Sequence, residues 1–201
     1  MSDDVVQVER VGPASVITLD RPEARNALST AVLRALRAAV LEAEESPDVD
    51  VLVLTGADPA FSAGVDLKEA ASGQRQRGAD DPVESGHGPF PPRTKPLIGA
   101  VNGVAVTGGL ELALQCDLLI ASEHARFADT HSRVGVQPGW GLTVLLPQAI
   151  GLRRARQMSA TGDYVDAERA LAWGLVNEVV AHESLLPRCL EIGEAIASND
   201  Q

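Results

Sequence analysis

Apolar positions change period along the chain, and each change marks an element. Residues 5–8 and 15–19 are rich in β-branched side chains and flank the turn residues Gly12 and Pro13, which predicts an opening hairpin that Arg21-Pro22 ends. From Ser29 the period becomes 3.6. Val32, Leu33, Leu36, Ala39, Val40 and Ala43 then share one face, with Ser29 placed to cap and Pro47 beyond the end, so an amphipathic helix is predicted there. Short apolar runs at 51–55, 95–101, 117–121 and 175–180 predict strands. They alternate with helical stretches at 142–150 (interrupted by Pro147), 152–158 and 183–197, which gives an α/β class. No solenoid-type repeat is visible. Residues 71–94 carry Ser, Gly, Gln, Arg, Asp and Pro with no apolar period, and are read as a mobile loop acting as a lid.

A length of 201 residues fits one domain spanning 1–201, and 45% hydrophobic with 22% charged residues is the composition of a folded, soluble chain. Seventeen basic against twenty-eight acidic residues leave a net charge of −11, which disfavours nucleic acid as a partner while allowing a local basic contact to one small phosphorylated ligand. No apolar run is long enough to suggest a membrane span, and the start Met-Ser-Asp-Asp lacks a secretory signal, so a cytoplasmic location is expected. Cys116 and Cys189 are far apart in apolar surroundings; free buried thiols are expected, with neither a metal site nor a disulfide.

Two segments carry candidate chemistry. Ala60-Phe61-Ser62-Ala63-Gly64 nearly spells the G-x-S-x-G nucleophile elbow, with Ala60 in place of the first glycine, but His87, His124, His131 and His182 offer no single partner for the serine. The segment from Asn102 to Asp117 follows an apolar strand, and its adjacent Gly108 and Gly109 open a helical pattern with Glu111 in the first turn. Glycines there let the backbone approach a ligand, and free N–H groups at a helix start suit an oxyanion. Equally, the glycines could serve tight helix packing, with Glu111 complementing the helix dipole.

Ala60-Phe-Ser-Ala-Gly-Val-Asp-Leu-Lys68, Lys95-Pro-Leu-Ile-Gly-Ala-Val-Asn-Gly103, Gly108-Gly-Leu-Glu-Leu-Ala with Cys116-Asp117, and Val134-Gly-Val-Gln-Pro-Gly-Trp-Gly141 together resemble the crotonase superfamily of enoyl-CoA hydratases and isomerases. The segments Ile17-Thr-Leu-Asp-Arg-Pro22, Asn26-Ala-Leu28 and Ala170-Leu-Ala-Trp-Gly-Leu-Val176 extend the likeness, in one order, across almost the whole chain. The resemblance implies a crotonase-like spiral of repeated ββα units, an acyl-CoA thioester as ligand, no cofactor beyond the coenzyme A of the substrate, and a homotrimer or dimer of trimers. It also implies an oxyanion hole from the N–H groups of Val65 and Gly108. Coenzyme A contacts are implied along Asn26, Ala27 and Leu28 and along Ala63, Asp66, Leu67 and Lys68, with Gly109 adjoining. By residue type Asp66 is read as a loop-ordering carboxylate rather than a base, and Trp140 as packing the pocket wall rather than contacting the chemistry.

Hydratases of this family use two glutamates twenty residues apart. The first is Glu111; the second position holds His131, with Asp129 two residues off register. Removing one acid or base costs on the order of a hundredfold or more, yet imidazole can serve as either near neutral pH, and its pKa would be raised by a facing carboxylate. Three readings stay open: a hydratase using Glu111 and His131, a double-bond isomerase using one carboxylate, and a non-catalytic acyl-CoA binder. The chain also stops within a helical stretch where family members continue into further C-terminal helices, so either the natural chain is short or its C-terminal helical region is truncated.

Overall fold

The opening hairpin is the edge of a six-stranded sheet. In the computed structural model β1 (Val6–Val11) pairs antiparallel with β2 (Ala14–Leu19), and Gly12 supplies the positive φ of 57° that their two-residue turn requires. Residues 5–72 and 88–199 are described, so the body of the loop read as a lid lies outside the described residues. Its far end is fastened. Phe90 is buried, Arg93 reaches Asp117 at 2.6 Å, and the Thr94 N–H donates to Glu44 Oε1 at 2.6 Å.

A single-turn 3-10 helix (Pro22–Ala24) follows the hairpin, then α1 (Thr30–Glu45), capped by Ser29 Oγ accepting from the Val32 N–H at 3.3 Å. The six residues predicted to face the core are the six that are buried. Next come three successive strand–strand–helix units. They are β3 (Val51–Gly56), β4 (Ala60–Ser62) and α2 (Leu67–Ser72); β5 (Leu97–Val101), β6 (Val104–Val106) and α3 (Gly108–Leu114); and β7 (Leu118–Ser122), β8 (Arg126–Ala128) and α4 (His131–Val134). The chain continues with α5 (Leu142–Ile150), α6 (Leu152–Thr161), β9 (Val165–Asp166), α7 (Ala167–Trp173), β10 (Glu178–Val180) and α8 (Leu185–Ala197). Proline 147 does not interrupt α5. It lies inside a continuous helix, and Thr143, whose carbonyl loses its partner, is exposed to water.

The first strand of each unit joins the large sheet, ordered β1-β2-β3-β5-β7-β10 and parallel from β2 onward; the second joins a small sheet, β4-β6-β8-β9. This is the ββα repeat that the sequence did not display as a period, because the units begin at unequal intervals, at residues 51, 97 and 118. Alternation along β3 shows how the large sheet is covered on both faces. Leu52 and Leu54 enter the main core shared with α1 and the small sheet, while Val51 and Val53 pack under Leu185 and Cys189 of α8. Three helices, α2 to α4, begin where the small sheet ends, and their first residues gather the candidate site.

Candidate active site

Asn26 organises one wall. Its backbone is left-handed, with φ at 54°, and its buried amide is used up internally: Oδ1 accepts from the Arg21 N–H at 2.9 Å, and Nδ2 donates to the carbonyls of Ala57 and Ala60, each at 2.7 Å. This seats 24–28 beside 60–66. A parallel bridge then forms in which Leu28 N–H donates to Gly64 C=O and Asp66 N–H to Leu28 C=O, leaving the N–H of Val65 outside the ladder. Ser62 is a strut in this wall. Its fully buried hydroxyl donates to Asn26 C=O at 2.8 Å and accepts from the Gly64 N–H at 3.2 Å, so the elbow-like motif carries no exposed nucleophile.

Glycine 108 faces that wall as the first residue of α3, with one of the N–H groups that a helix start leaves unpaired. A Cβ built on it would stand 3.5 Å from the Val65 nitrogen, 3.2 Å from the Trp140 ring and 3.3 Å from Leu28. The two predicted donors are therefore neighbours across a space that only the missing side chain keeps open. Gly109 differs, since a Cβ there would meet the Ser62 carbonyl at 2.3 Å; this glycine is held by the packing of α3 on β4, which is the tight-packing alternative realised at one of the two positions.

Glu111 and His131 come together in the buried interior, both 3% exposed. The imidazole Nε2 lies 3.4 Å from Glu111 Oε2, and Nδ1 lies 2.7 Å from Asp129 Oδ1. Glu111 does not complement its own helix. Its carboxylate accepts from the Trp140 N–H at 2.7 Å and from those of Gly139 and Leu142, each at 3.4 Å, which fixes it toward the loop before α5. Burial lowers the pKa of His131, but the hydrogen bonds and charges of Asp129 and Glu111 outweigh burial and raise it to about 9. For Asp129 burial acts upward and is outweighed by hydrogen bonds from His131 and Ser159 and by the histidine's charge, so its carboxyl lies below the usual carboxylate range.

Beside His131 lies a largely apolar cavity of about 70 Å³ lined by Ala63, Val65, Leu67, Thr107, His131 and Val134, among others. Ala63, Val65 and Leu67 also line an open groove of about 500 Å³ that runs past Ala27, Asp66 and Lys68. Asp66 orders this groove by accepting from the N–H groups of Lys68 and Glu69 and by pairing with Arg21 at 3.1 Å. Arg25 and Lys68 project there with no ion-pair partner among the described residues. Arg25 escaped the sequence reading; the signal available for it was a basic residue beside the Asn26-Ala-Leu28 motif. A larger groove of about 560 Å³, between α5 and α6, holds no comparable pair of titratable groups.

The Trp140 ring lies against Gly108, while its backbone N–H, which the sequence did not single out, holds Glu111. His124 and His182 lie elsewhere, 5.2 Å apart, the latter between Ser122 and Asp58; His87 is outside the described residues. Both cysteines are free, and burial pushes both thiols up to about 12. Among the described residues no helix is long and apolar enough to cross a membrane.

The chain matches the profile of the enoyl-CoA hydratase/isomerase family over residues 12–201. It is 40% identical over 205 residues to a protein of Arabidopsis thaliana named probable enoyl-CoA hydratase 1, peroxisomal, an alignment spanning 100% of this chain and 76% of the relative. Among solved structures, an enoyl-CoA hydratase from Mycobacterium tuberculosis H37Rv superposes with a TM-score of 0.89 at 52% identity, over 98% of this chain and 84% of that one. A carnitinyl-CoA dehydratase from Mycobacterium avium 104 superposes with a TM-score of 0.89 at 38% identity, over 98% and 77%. With the Val65 and Gly108 backbones brought side by side, a buried carboxylate and imidazole in contact, and these likenesses along its length, the chain belongs to the enoyl-CoA hydratase/isomerase family.

Proposed function

We propose that the protein hydrates a 2-enoyl-CoA thioester to the 3-hydroxyacyl-CoA, with Glu111 and His131 as the catalytic pair. One observation carries this reading: Nε2 of His131 lies 3.4 Å from Glu111 Oε2, both groups are buried, and His131 lines the same cavity as Val65. The thioester oxygen binds between the two N–H groups. Glu111, as carboxylate, takes a proton from water while the water oxygen bonds to C3. The alkene electrons move toward the carbonyl, and the enolate charge is held by the two donors, each worth on the order of 3 kcal/mol in the transition state. The imidazolium then gives its Nε2 proton to C2. Glu111 passes its proton across to Nε2, and both groups return to their starting states with one water added. A histidine whose pKa stands near 9 is charged at neutral pH, as an acid in this role must be.

The coenzyme A arm follows the groove past Ala27, Ala63, Leu67 and Lys68, where Arg25 and Lys68 supply the positive charge for its phosphates. Asn26, Leu28 and Asp66 shape that groove through their internal bonds, and Gly109 seats α3 behind it. The chemistry calls for no cofactor beyond coenzyme A itself, and assembly as a homotrimer belongs to the same proposal. Loss of enoyl-thioester absorbance with equimolar 3-hydroxyacyl-CoA, on adding the protein to a short trans-2-enoyl-CoA, is the expected result. Double-bond migration without water uptake points instead to an isomerase, and saturable binding with neither reaction to an acyl-CoA binder.

A further inference from the structure

Thr107 has a backbone that its side chain does not favour. Its φ is 49° and its ψ −122°, a combination outside the left-handed basin that non-glycine residues occasionally visit and costly for a β-branched one. It stands at the N-cap of α3, yet its hydroxyl makes no cap hydrogen bond, whereas Ser29 and Asp166 cap α1 and α7 from extended backbone. Capping therefore does not explain the threonine.

Its bonds run to three separate segments of the site. The Oγ1 hydroxyl donates to the Ala63 carbonyl at 3.3 Å, two residues before the Val65 donor. Its N–H donates to the Ala128 carbonyl at 3.3 Å, just before Asp129, and its C=O accepts from the Glu111 N–H at 3.0 Å. Gly64 is shaped around it, because a Cβ there would lie 2.0 Å from Oγ1. The next residue after Thr107 is the second donor, Gly108. The side-chain bond is the one link in this set that a substitution can remove while leaving the backbone bonds in place.

We infer that Thr107 is a positioning residue whose hydroxyl, bonded to the Ala63 carbonyl, sets the spacing of the Val65 and Gly108 N–H groups on a bound thioester carbonyl. The inference rests on the oxyanion-hole reading above. Small misplacements of such donors are expensive, since a displacement near 1 Å costs up to about a hundredfold in rate.

The test uses Thr107→Val, which keeps shape and removes the hydroxyl, and Thr107→Ser, which keeps the hydroxyl. Each is assayed for hydration of a short trans-2-enoyl-CoA and examined by infrared difference spectroscopy with butyryl-CoA, whose saturated chain cannot react. Expected for Thr107→Val is a fall in kcat of about ten- to hundredfold with little change in KM, and a bound carbonyl stretch moved back toward that of the free thioester. Thr107→Ser keeps the lowered stretch and recovers the rate. Thr107→Ala, measured by the same spectrum and checked by circular dichroism, replaces the valine variant if that one fails to fold. A wild-type stretch and kcat in a folded variant lacking the hydroxyl overturns the inference while leaving the oxyanion hole intact. A wild-type protein that leaves the butyryl-CoA carbonyl unshifted overturns the oxyanion-hole reading and this inference with it. If the wild type shifts the carbonyl and Thr107→Val loses that shift, yet no hydration occurs, the positioning role stands and the hydratase reading fails.

Discussion

Asp129 grips His131 twice, its Oδ1 accepting from the histidine's backbone N–H at 3.2 Å and from ring Nδ1 at 2.7 Å. With Nδ1 occupied in this way, Nε2 is the nitrogen presented to Glu111. A carboxylate that fixes the tautomer of a catalytic imidazole and favours its charged form is a recurring device in general acid–base sites. Asparagine at 129 keeps the shape and offers either an oxygen or an amide donor to Nδ1. Asp129→Asn is therefore expected to lower kcat by about 10² to 10⁴ and to move the basic limb of kcat/KM, expected near pH 9 in the wild type from the raised His131 pKa, to lower pH. An unchanged pH profile would remove Asp129 from the acid's environment.

The same pair links stability to pH. His131 has a folded pKa of about 9 against an ordinary 6.5, so the folded state holds a proton that the unfolded state releases between these values. The stabilisation is fully present below about pH 6.5 and is lost as pH rises through about 9. Asp129 runs the other way: its lowered pKa gives stability above the usual carboxylate range that disappears as pH falls through the folded value. Urea midpoints measured from pH 6 to pH 10 should fall for the wild type and vary less for His131→Gln. Parallel curves for the two proteins would contradict the raised pKa.

How legible the molecule was depended on the length and partners of each element. The α1 face was readable because sixteen residues repeat one pattern under a side-chain cap, and β2, β3, β5 and β7 because sheets buried on both faces need continuous apolar runs. The strands β4, β6, β8 and β9 are only two or three residues long, too short for alternation to appear, so the small sheet was invisible. Residue identity located Gly108, Glu111 and His131. Only the fold brings Asp129 into contact with the ring, turns Glu111 toward the N–H groups of 139–142, and separates the roles of Gly108 and Gly109. Hydrogen bonds to the main chain, which hold Glu111 and Ser62, leave no residue-type signature.

Gly108→Ala tests the space between the donors. The backbone of Gly108 is ordinary, and Trp140 and Leu28 must yield only a few tenths of an ångström, so the variant should fold. Its methyl group, 3.5 Å from the Val65 nitrogen, is expected to crowd a thioester oxygen bound at that N–H. A loss of about 10² or more in kcat/KM is expected at unchanged circular dichroism. Wild-type turnover in this variant would place the carbonyl elsewhere.

Arg25 and Lys68 are exposed cations of the groove, without an ion-pair partner among the described residues, on an acidic protein. Replacing both by Ala should raise KM for an enoyl-CoA by about three- to tenfold at low salt, with the difference shrinking as ionic strength rises. The corresponding N-acetylcysteamine thioester, which has no phosphates, should show no difference between the two proteins. An equal effect on both substrates would mean that the substitutions disturb the loop rather than a charge contact.

The decisive series concerns Glu111 and His131 as a unit. They share one short contact at 3.4 Å, and hydration needs both a base for water and an acid for C2, so removing either should cost about as much as removing both. His131→Ala and Glu111→Gln are each expected to lower kcat by about 10² to 10⁴, and the double variant by little more. His131→Glu restores a proton donor at the same register and should recover part or all of the rate. Its optimum should move to lower pH, because a carboxyl must stay protonated to act as the acid. A different pattern identifies the alternatives. If His131→Ala keeps full turnover while Glu111→Gln abolishes it, one carboxylate suffices and the chemistry is double-bond isomerisation. If neither change alters any turnover while acyl-CoA still binds, the buried pair serves structure, and the oxyanion hole is a docking site.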